Sequence, residues 1–355
     1  MNEEKEKMTK LFVKRMTFIT VILVAAIALV GFSITLGSSG ITPLDAYKSI
    51  IKYIFPDLFP EISQKTMNIV MIIRAPRVLM AAFGGAALAL GGCITQSLLK
   101  NPLATPYTLG VSSGAGFGAA LVILFGFGLT GGFIDAIISA FIFSMIPIAV
   151  VTLASRRRNM TPMTIILCGV AMSYVFSASN TIFQFFGEAS AVKSVVFWMV
   201  GDLNEILLWN IPYVMVPFLI IFVAMMLLSK DLNVMRMGDD TATSLGINVS
   251  MMRTTGLVLS CLITAIVVSF TGCIGFVCLL APQISRIFVG NDLKYLIPAS
   301  SILGACLLSV ADIIAKTIYA PVMLPVGAVT ALVGGPLLVI LLLRSASSKG
   351  AVNHN

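Results

Sequence analysis

The sequence predicts an all-α membrane protein that crosses the bilayer about ten times, and three observations support that prediction. Hydrophobic residues make up 58% of the 355 positions and charged residues only 11%, whereas soluble domains carry about 25% charged residues. The stretches 101–134, 159–187 and 254–285 contain no Asp, Glu, Lys or Arg. A helix needs about 20 apolar residues to cross a bilayer, so each stretch can hold at least one span. A soluble helical protein would show charged outer faces at helical spacing, which these stretches lack.

Apolar windows separated by Gly, Pro and charged residues predict the individual spans. They are 16–37, 78–97, 107–127, 132–154, 162–186, 209–229, 253–271, 274–290, 296–315 and 325–343. The first follows a basic segment, as a signal peptide does, but its apolar run is longer and no small-residue cleavage site ends it. We therefore predict a retained helix. The expected organisation is one transmembrane domain over 16–343, with cytoplasmic tails at 1–15 and 344–355.

The distribution of basic residues predicts the orientation. An even number of spans places both termini on one side, and with them inside, cytoplasmic segments collect sixteen of the 23 Lys and Arg residues. This asymmetry follows the positive-inside rule, and the run Arg156-Arg157-Arg158 is its strongest single indication. The net charge of +8 is thereby explained by topology, so we expect no nucleic-acid partner. The predicted location is the cell membrane, with both termini cytoplasmic.

Small residues at four-residue spacing predict close helix packing in several spans. Gly110, Gly114 and Gly118 share one helix face, and Ala81 and Gly85 begin a similar row that continues to Ala89. Residues of this size allow neighbouring backbones to approach one another in a bilayer. We interpret these rows as packing surfaces and not as ligand sites.

Chemistry-bearing motifs are absent from the sequence. It contains no HExxH, GxSxG or P-loop motif, and its six Cys lack CxxC spacing and lie mostly in apolar segments, where they behave as small apolar residues. Asp135 and Asp312 fall near the outer ends of predicted spans and Arg286 near an inner end, which leaves no ionisable group at a span centre. We expect no catalytic residue, metal site or cofactor. Energy must then come from a partner, although a stand-alone channel or secondary carrier remains open.

One inner segment, 230–252, is polar and long. Asp239 and Asp240 precede Thr241-Ala242-Thr243-Ser244-Leu245, as acidic residues do at the start of a helix. Gly246 then suits a helix stop. These residues predict a short helix outside the membrane, and the alternative is a solvated loop.

Four segments together resemble the FecCD-type permease family, the membrane subunits of ABC importers for iron-siderophores, haem and cobalamin. The segments cover most of the chain after residue 70, in the family's order. They are Arg74-Ala75-Pro76-Arg77 continuing through Asn101-Pro102-Leu103-Ala104 to Gly114-Ala115; Trp198-Met199-Val200-Gly201-Asp202-Leu203; Gly238-Asp239-Asp240 through Gly246-Ile247; and Gly275-Phe276-Val277 through Pro282-Gln283 and Ala311-Asp312 to Pro325-Val326-Gly327. One departure is Gln283, where the family usually has His; Gln cannot titrate.

The resemblance implies the architecture of a type II ABC importer permease. Two identical copies would join two ATPase subunits, which bind the ATP, and an extracytoplasmic binding protein. The coupling loop 230–252 would seat in the ATPase through Asp239, Asp240, Thr241, Ala242, Leu245 and Gly246. A chelated metal is the expected substrate, a ferric siderophore before haem or cobalamin, with an oxyanion such as molybdate as an alternative.

The resemblance also assigns residues to docking and gating. Arg74, Arg77 and Lys316 would face outward and contact the binding protein; their alternative role is anchoring to lipid headgroups. Asn101 and Leu103 would form a cytoplasmic gate, with Thr161 and Met163 opposite, although a plain loop turn explains any one of them as well.

Two further polar residues are candidates for the pathway. Asn180 and Gln184 are four residues apart on the fifth span and share a helix face. They would either line a pore or hydrogen-bond to neighbouring helices.

Overall fold

The computed structural model describes residues 2–37, 40–128, 132–156 and 161–352, and in these ranges the chain is helical without strands. Arg157 and Arg158, which support the predicted orientation, lie outside the described residues. The helices are α1 (Asn2–Thr35), α2 (Pro43–Ile54), α3 (Gln64–Asn68), α4 (Ala75–Leu98), α5 (Val111–Phe125), α6 (Phe133–Arg156), α7 (Pro162–Phe186), α8 (Ala189–Val200), α9 (Ile211–Leu227), α10 (Ser229–Met237), α11 (Asp239–Ser244), α12 (Val249–Thr271), α13 (Val277–Val289), α14 (Leu293–Thr317) and α15 (Val326–Val352).

Each of the ten predicted spans coincides with a helix. Within the described ranges, seven helical segments are long and apolar enough to cross a membrane: α1, α3 joined to α4, α6, α7, α9, α12 and α14. The other three spans correspond to shorter apolar helices, α5, α13 and the first part of α15. The described parts of the two predicted tails, 2–15 and 344–352, are helical, because α1 begins at Asn2 and α15 continues to Val352.

Helix α4 lies at the centre of the bundle, between α12, α13 and α14. Its glycines set the packing distance. A Cβ on Gly85 would lie 2.4 Å from the carbonyl oxygen of Gly304, and one on Gly92 would lie 1.7 Å from that of Cys278. These backbones therefore meet directly, which confirms that the small residues of this span serve close packing.

The segment before α4 is wider than an α-helix. Residues Ile69–Arg74 form a π-helical turn that joins α3 to α4, and the N–H of Ala75 donates to the carbonyl of Val70. Pro76 follows immediately and has no N–H to donate. A local π turn is a known way to fit such an interruption into a continuous helix. The continuous helical segment that contains the predicted second span therefore begins at Gln64, before the predicted span start at residue 78.

Two of the short helices that the sequence did not predict are α2 and α8. α2 is amphipathic: it buries Ala46 and Ser49 against neighbouring helices and exposes Leu44 and Ile51. α8 has only 12 residues and ends at Gly201, which has φ 83° and accepts a hydrogen bond from the N–H of Gly327 at 3.0 Å. Neither helix reaches the length of a span, so a window of about 20 residues does not detect them.

Two groups of charged side-chain contacts lie at opposite ends of the bundle. At the end that we call inner, Asp239 contacts Lys100 and Arg253. At the outer end, Arg77 contacts Asp312. The names inner and outer follow the predicted topology.

Candidate functional site

The inner end carries a helical block over residues 229–247, which we call the coupling block. α10 buries Leu232 and Met235 in the bundle, and α11 follows directly after Gly238. α11 buries only Ala242, and the side chains of Asp240, Thr241 and Leu245 are exposed. The predicted short helix at Asp239–Ser244 is confirmed, whereas α10 was not predicted.

Gly246 ends α11 in the way the sequence predicts. The N–H of Gly246 donates to the carbonyl of Thr243 at 2.9 Å, and the N–H of Ile247 donates to that of Ala242 at 3.0 Å. This pair of bonds is the Schellman arrangement, in which the residue after the helix adopts a positive φ. Gly246 has φ 82°, a value that other residues rarely adopt.

Two cations hold α11 against the rest of the bundle. Asp239 lies 2.6 Å from Nη2 of Arg253, on α12, and 3.0 Å from Nζ of Lys100, which follows α4. Burial raises the pKa of Asp239, but the hydrogen bonds from Arg253 and Lys100 outweigh it and hold that pKa below its ordinary value. The block therefore has a fixed orientation, with Leu245 projecting outward at 66% exposure.

The predicted gate residues Asn101 and Leu103 lie in a tight turn beside the coupling block. Oδ1 of Asn101 accepts from the N–H of Leu103 at 2.9 Å, which uses the amide locally, while Leu103 is 44% exposed. Nε2 of Gln283 donates to the carbonyl of Pro102 at 2.7 Å. Gln283, which replaces the family's His, thus ties this turn to α13 without an ionisable group.

The residues predicted to lie opposite the gate are found at the start of α7. Thr161 caps the helix by accepting from the N–H of Thr164 at 3.2 Å, and Met163 is 59% exposed. Among the described residues no hydrogen bond joins Thr161 or Met163 to the turn at Asn101. Gating by these four residues stays a prediction.

The predicted docking residues do not face outward, contrary to expectation. Arg74, Arg77 and Lys316 are 6%, 3% and 8% exposed. Nη1 of Arg74 donates to the carbonyls of Ile34 and Thr35 at 3.1 and 3.0 Å. All three residues lie near the same end of the bundle, but their side chains turn inward because acceptors on distant segments bind them there. Contact with a binding protein through these three side chains has no exposed surface to support it.

A buried ion cluster explains the orientation of two of them. Nε of Arg77 lies 2.5 Å from Asp312, which is completely buried, and Nη1 of Arg77 donates to Asn204. Nζ of Lys316 lies 3.4 Å from the second carboxylate oxygen of Asp312 and donates to Ser33 at 2.7 Å. The cluster joins α1, α4, α14 and the loop after α8.

The two pathway candidates on α7 are placed differently from each other. Asn180 is 2% exposed, and among the described residues neither its Oδ1 nor its Nδ2 has a hydrogen-bond partner. It packs towards Gly116 and Met199. Gln184 is half-buried. Asn180 therefore points into the bundle of this chain, and the shared face does not open directly to the surface.

A family model fits almost the whole chain, over residues 20–344: the FecCD transport family. The chain belongs to the FecCD transport family. Members are membrane permeases and not enzymes, so this permease supplies a path through the bilayer and no catalytic step of its own.

Three relatives of this FecCD permease are described as transporter permeases, and the names of two of them give different substrates. It is 42% identical over 285 residues to a protein of Methanocaldococcus jannaschii described as an ABC transporter permease, covering 77% of this chain and 80% of that one. It is 34% identical to the vitamin B12 import permease of Klebsiella pneumoniae, over 80% and 85% of the two chains. It is 32% identical to the molybdate import permease of Haemophilus influenzae, over 83% and 86%.

A solved structure supports the fold of this FecCD permease. An inward-facing metal-chelate type ABC transporter matches with a TM-score of 0.79 and 28% identity, over 95% of this chain and 99% of that one. The all-α permease architecture is therefore confirmed.

Sequence analysis of this FecCD permease missed the outward face of α7. Tyr174, Ser177 and Thr181 are all exposed there, at spacings of three and four residues that place them on one side of the helix. Apolar side chains such as Val175 and Ile182 are exposed beside them on α7, whereas the exposed large side chains in the middle of α1, including Val24 and Ile27, are all apolar. The spacing of these hydroxyl residues along α7 could have indicated this face from the sequence. The sequence instead predicts the amides of Asn180 and Gln184 as the polar pathway candidates.

Proposed function

We propose that two copies of this ABC importer permease assemble with two ATPase subunits and a separate binding protein to import a chelated metal. The coupling block is the observation that carries this proposal. It is anchored through Asp239, presents Leu245 to solvent, and ends the membrane domain with a rigid surface. A protein without a partner at this end has no need for such a surface, since exposed apolar side chains on a rigid element favour contact with another protein.

The polar face of α7 supports a pathway between two copies of the chain. The hydroxyl of Thr181 donates to the carbonyl of Ser177 within α7 at 3.1 Å. Polar residues within a span normally face protein or a water-filled cavity. A second copy placed against α7 would enclose this face and leave the apolar outer face of α1 to the lipid. A homodimer with a central pathway follows.

A ferric siderophore is the proposed substrate. The chain offers no cluster of three His, Cys, Asp or Glu side chains among its described residues that could hold a bare metal ion, so a metal enclosed by an organic chelator fits the pathway better than a free cation. The vitamin B12 relative also carries an enclosed metal in its named substrate. The molybdate relative favours a small oxyanion as the second candidate.

Uptake by whole cells separates these substrates. Cells that lack this gene would be complemented with it and given iron-55 as ferric ferrichrome, cobalt-57 cyanocobalamin or molybdenum-99 molybdate. We expect gene-dependent uptake of the iron chelate. Gene-dependent uptake of molybdate alone would assign the oxyanion instead. If the gene restores uptake of none of the three compounds, the substrate belongs to another class.

A further inference from the structure

A basic pocket lies at the inner end between α4, α10 and α13. Its volume is about 290 Å³, roughly ten times the volume of one water molecule in the liquid. The residues that line it are Gln96, Ser97, Lys100, Asn101, Pro102, Arg236, Gln283, Arg286 and Asn291. Three of them are cations and none is an acid. Lys100 is already paired with Asp239, so the excess positive charge of the pocket comes from Arg236 and Arg286.

The two arginines of the basic pocket are held by neutral groups. Nη1 of Arg286 donates to Oε1 of Gln96 at 2.5 Å, and Nη1 of Arg236 donates to the carbonyl of Asn291. Within the described part of the chain, neither guanidinium lies within ion-pairing distance of a carboxylate. Both are partly buried, and burial lowers the pKa of Arg236 from its ordinary value. An arginine nevertheless stays protonated, so the pocket holds charge that the protein leaves unbalanced.

The buried amide of Gln96 fixes the position of the Arg286 guanidinium. Its side chain is 3% exposed, and its Nε2 points to the carbonyls of Cys278 and Leu279 at 3.4 Å each. That orientation turns Oε1 towards Arg286. The amide thus fixes one guanidinium at the wall of the pocket, where it can present further N–H donors to a ligand.

From this unbalanced, oriented charge we infer that the basic pocket binds a phosphate-type oxyanion. Guanidinium groups present a planar fork of donors that matches phosphate oxygens, and partly buried charges are normally neutralised by a counter-charge. Two sources supply this chemistry at the inner face: the headgroup of an anionic phospholipid, as at other basic pockets between spans, and free phosphate.

A bound anion would contact three segments at the inner end: the coupling block, α13 and the turn after α4. Arg236 belongs to the coupling block, Arg286 to α13, and Lys100 to the turn that carries the predicted gate. One oxyanion that accepts from Arg236 and Arg286 would fasten the coupling block to α13, beside the gate turn that carries Lys100. The site does not depend on which substrate is transported.

Binding is tested on the purified full-length chain in lipid nanodiscs. In phosphatidylcholine discs, inorganic phosphate would be titrated against chloride at equal ionic strength, with the thermal unfolding midpoint as the readout. In a second arm, discs with and without phosphatidylglycerol would be compared at zero phosphate. A rise in the midpoint with phosphate identifies the free anion as a ligand, and a rise only with phosphatidylglycerol identifies the headgroup.

Matched variants locate the effect. Arg236→Gln removes a pocket cation and is expected to weaken apparent binding at least tenfold, since charge-assisted hydrogen bonds are lost; Arg236→Lys should weaken it less. Lys230→Gln removes the same charge from an exposed position on the same helix and should change nothing. If Arg236→Gln does not fold, Arg286→Gln takes its place. No midpoint change in either arm, or equal responses of Arg236→Gln and Lys230→Gln, would overturn the inference.

Discussion

Replacing Asp312 with Asn tests how strongly the buried cluster holds the outer end together. Asp312 is fully buried, and its cationic partners Arg77 and Lys316 are 4% and 6% exposed at the side chain. The substitution keeps the shape but leaves two buried positive charges without a counter-charge. Removing one partner of a buried ion pair costs about 3–5 kcal/mol. With an unfolding entropy of roughly 2 cal/mol/K per residue over 355 residues, a loss of about 4 kcal/mol lowers the Tm by about 5 °C.

The assay is thermal unfolding of the detergent-purified chain, followed by circular dichroism. Asp240→Asn is the matched control, because Asp240 is an exposed carboxylate and surface substitutions of this kind usually change stability by less than about 0.5 kcal/mol. We expect Asp312→Asn to unfold several degrees below both the wild type and the control.

A triple variant separates electrostatics from packing in the same cluster. Arg77→Met, Asp312→Leu and Lys316→Met together remove all three charges, and apolar replacement of a whole buried ion cluster is often neutral or stabilising. The triple variant should therefore be more stable than Asp312→Asn alone. An unchanged Tm for Asp312→Asn, or a triple variant that loses the sum of the single effects, would refute the reasoning.

Three further predictions concern the packing, the pathway helix and the coupling block. Gly92→Ala should disrupt the contact of α4 with α13 and lower the Tm by several degrees, because the added Cβ meets the backbone of Cys278. The control is Gly275→Ala, whose added Cβ meets no atom within 4 Å and should leave the Tm unchanged. Equal effects of the two substitutions would contradict the close packing. Asn180→Leu should raise the Tm, since an unpartnered buried amide costs about 1–3 kcal/mol; a lower Tm would mean that this amide has a bonding partner. The contribution of Asp239 to the docking of α11 is present above its unfolded pKa and lost as the pH falls through its lower folded pKa. Hydrogen exchange at 239–247, corrected for its intrinsic rate, should therefore be constant from pH 8 to 5 and accelerate only below the ordinary Asp pKa of about 3.9. Acceleration already between pH 7 and 5 would assign the anchoring to another group.

The membrane helices could be predicted from the sequence because each depends on a local property. A run of apolar residues longer than a bilayer crossing leaves few alternatives to a helix, and α7 begins and ends at the predicted residues. α11 was equally accessible, since Asp239 and Gly246 mark its two ends through local backbone chemistry. The half-length α8 lacks such a signal, because its 12 residues are held by backbone contacts at Gly201 with Gly327, far along the chain.

The placement of charged side chains could not be predicted, because it depends on partners distant in sequence. Arg77 and Asp312 are separated by 235 positions, and nothing near Arg77 indicates that a buried carboxylate will meet it. The same applies to the basic pocket, where Arg236 and Arg286 come from different helices. The sequence therefore placed these cations near the ends of the predicted spans but did not indicate the direction in which their side chains point.

Dependence of transport on a separate ATPase tests the proposed function most directly. Proteoliposomes would contain the purified chain either alone or with the ATPase subunit that co-purifies with it, with the binding protein loaded with the substrate found in the cell assay. We predict uptake only when the ATPase and ATP are both present, and its loss with vanadate or with Leu245→Asp; the equally apolar but outer-end variant Leu58→Asp should remain active. Uptake by the chain alone, or uptake that vanadate does not inhibit, would contradict the role of the coupling block.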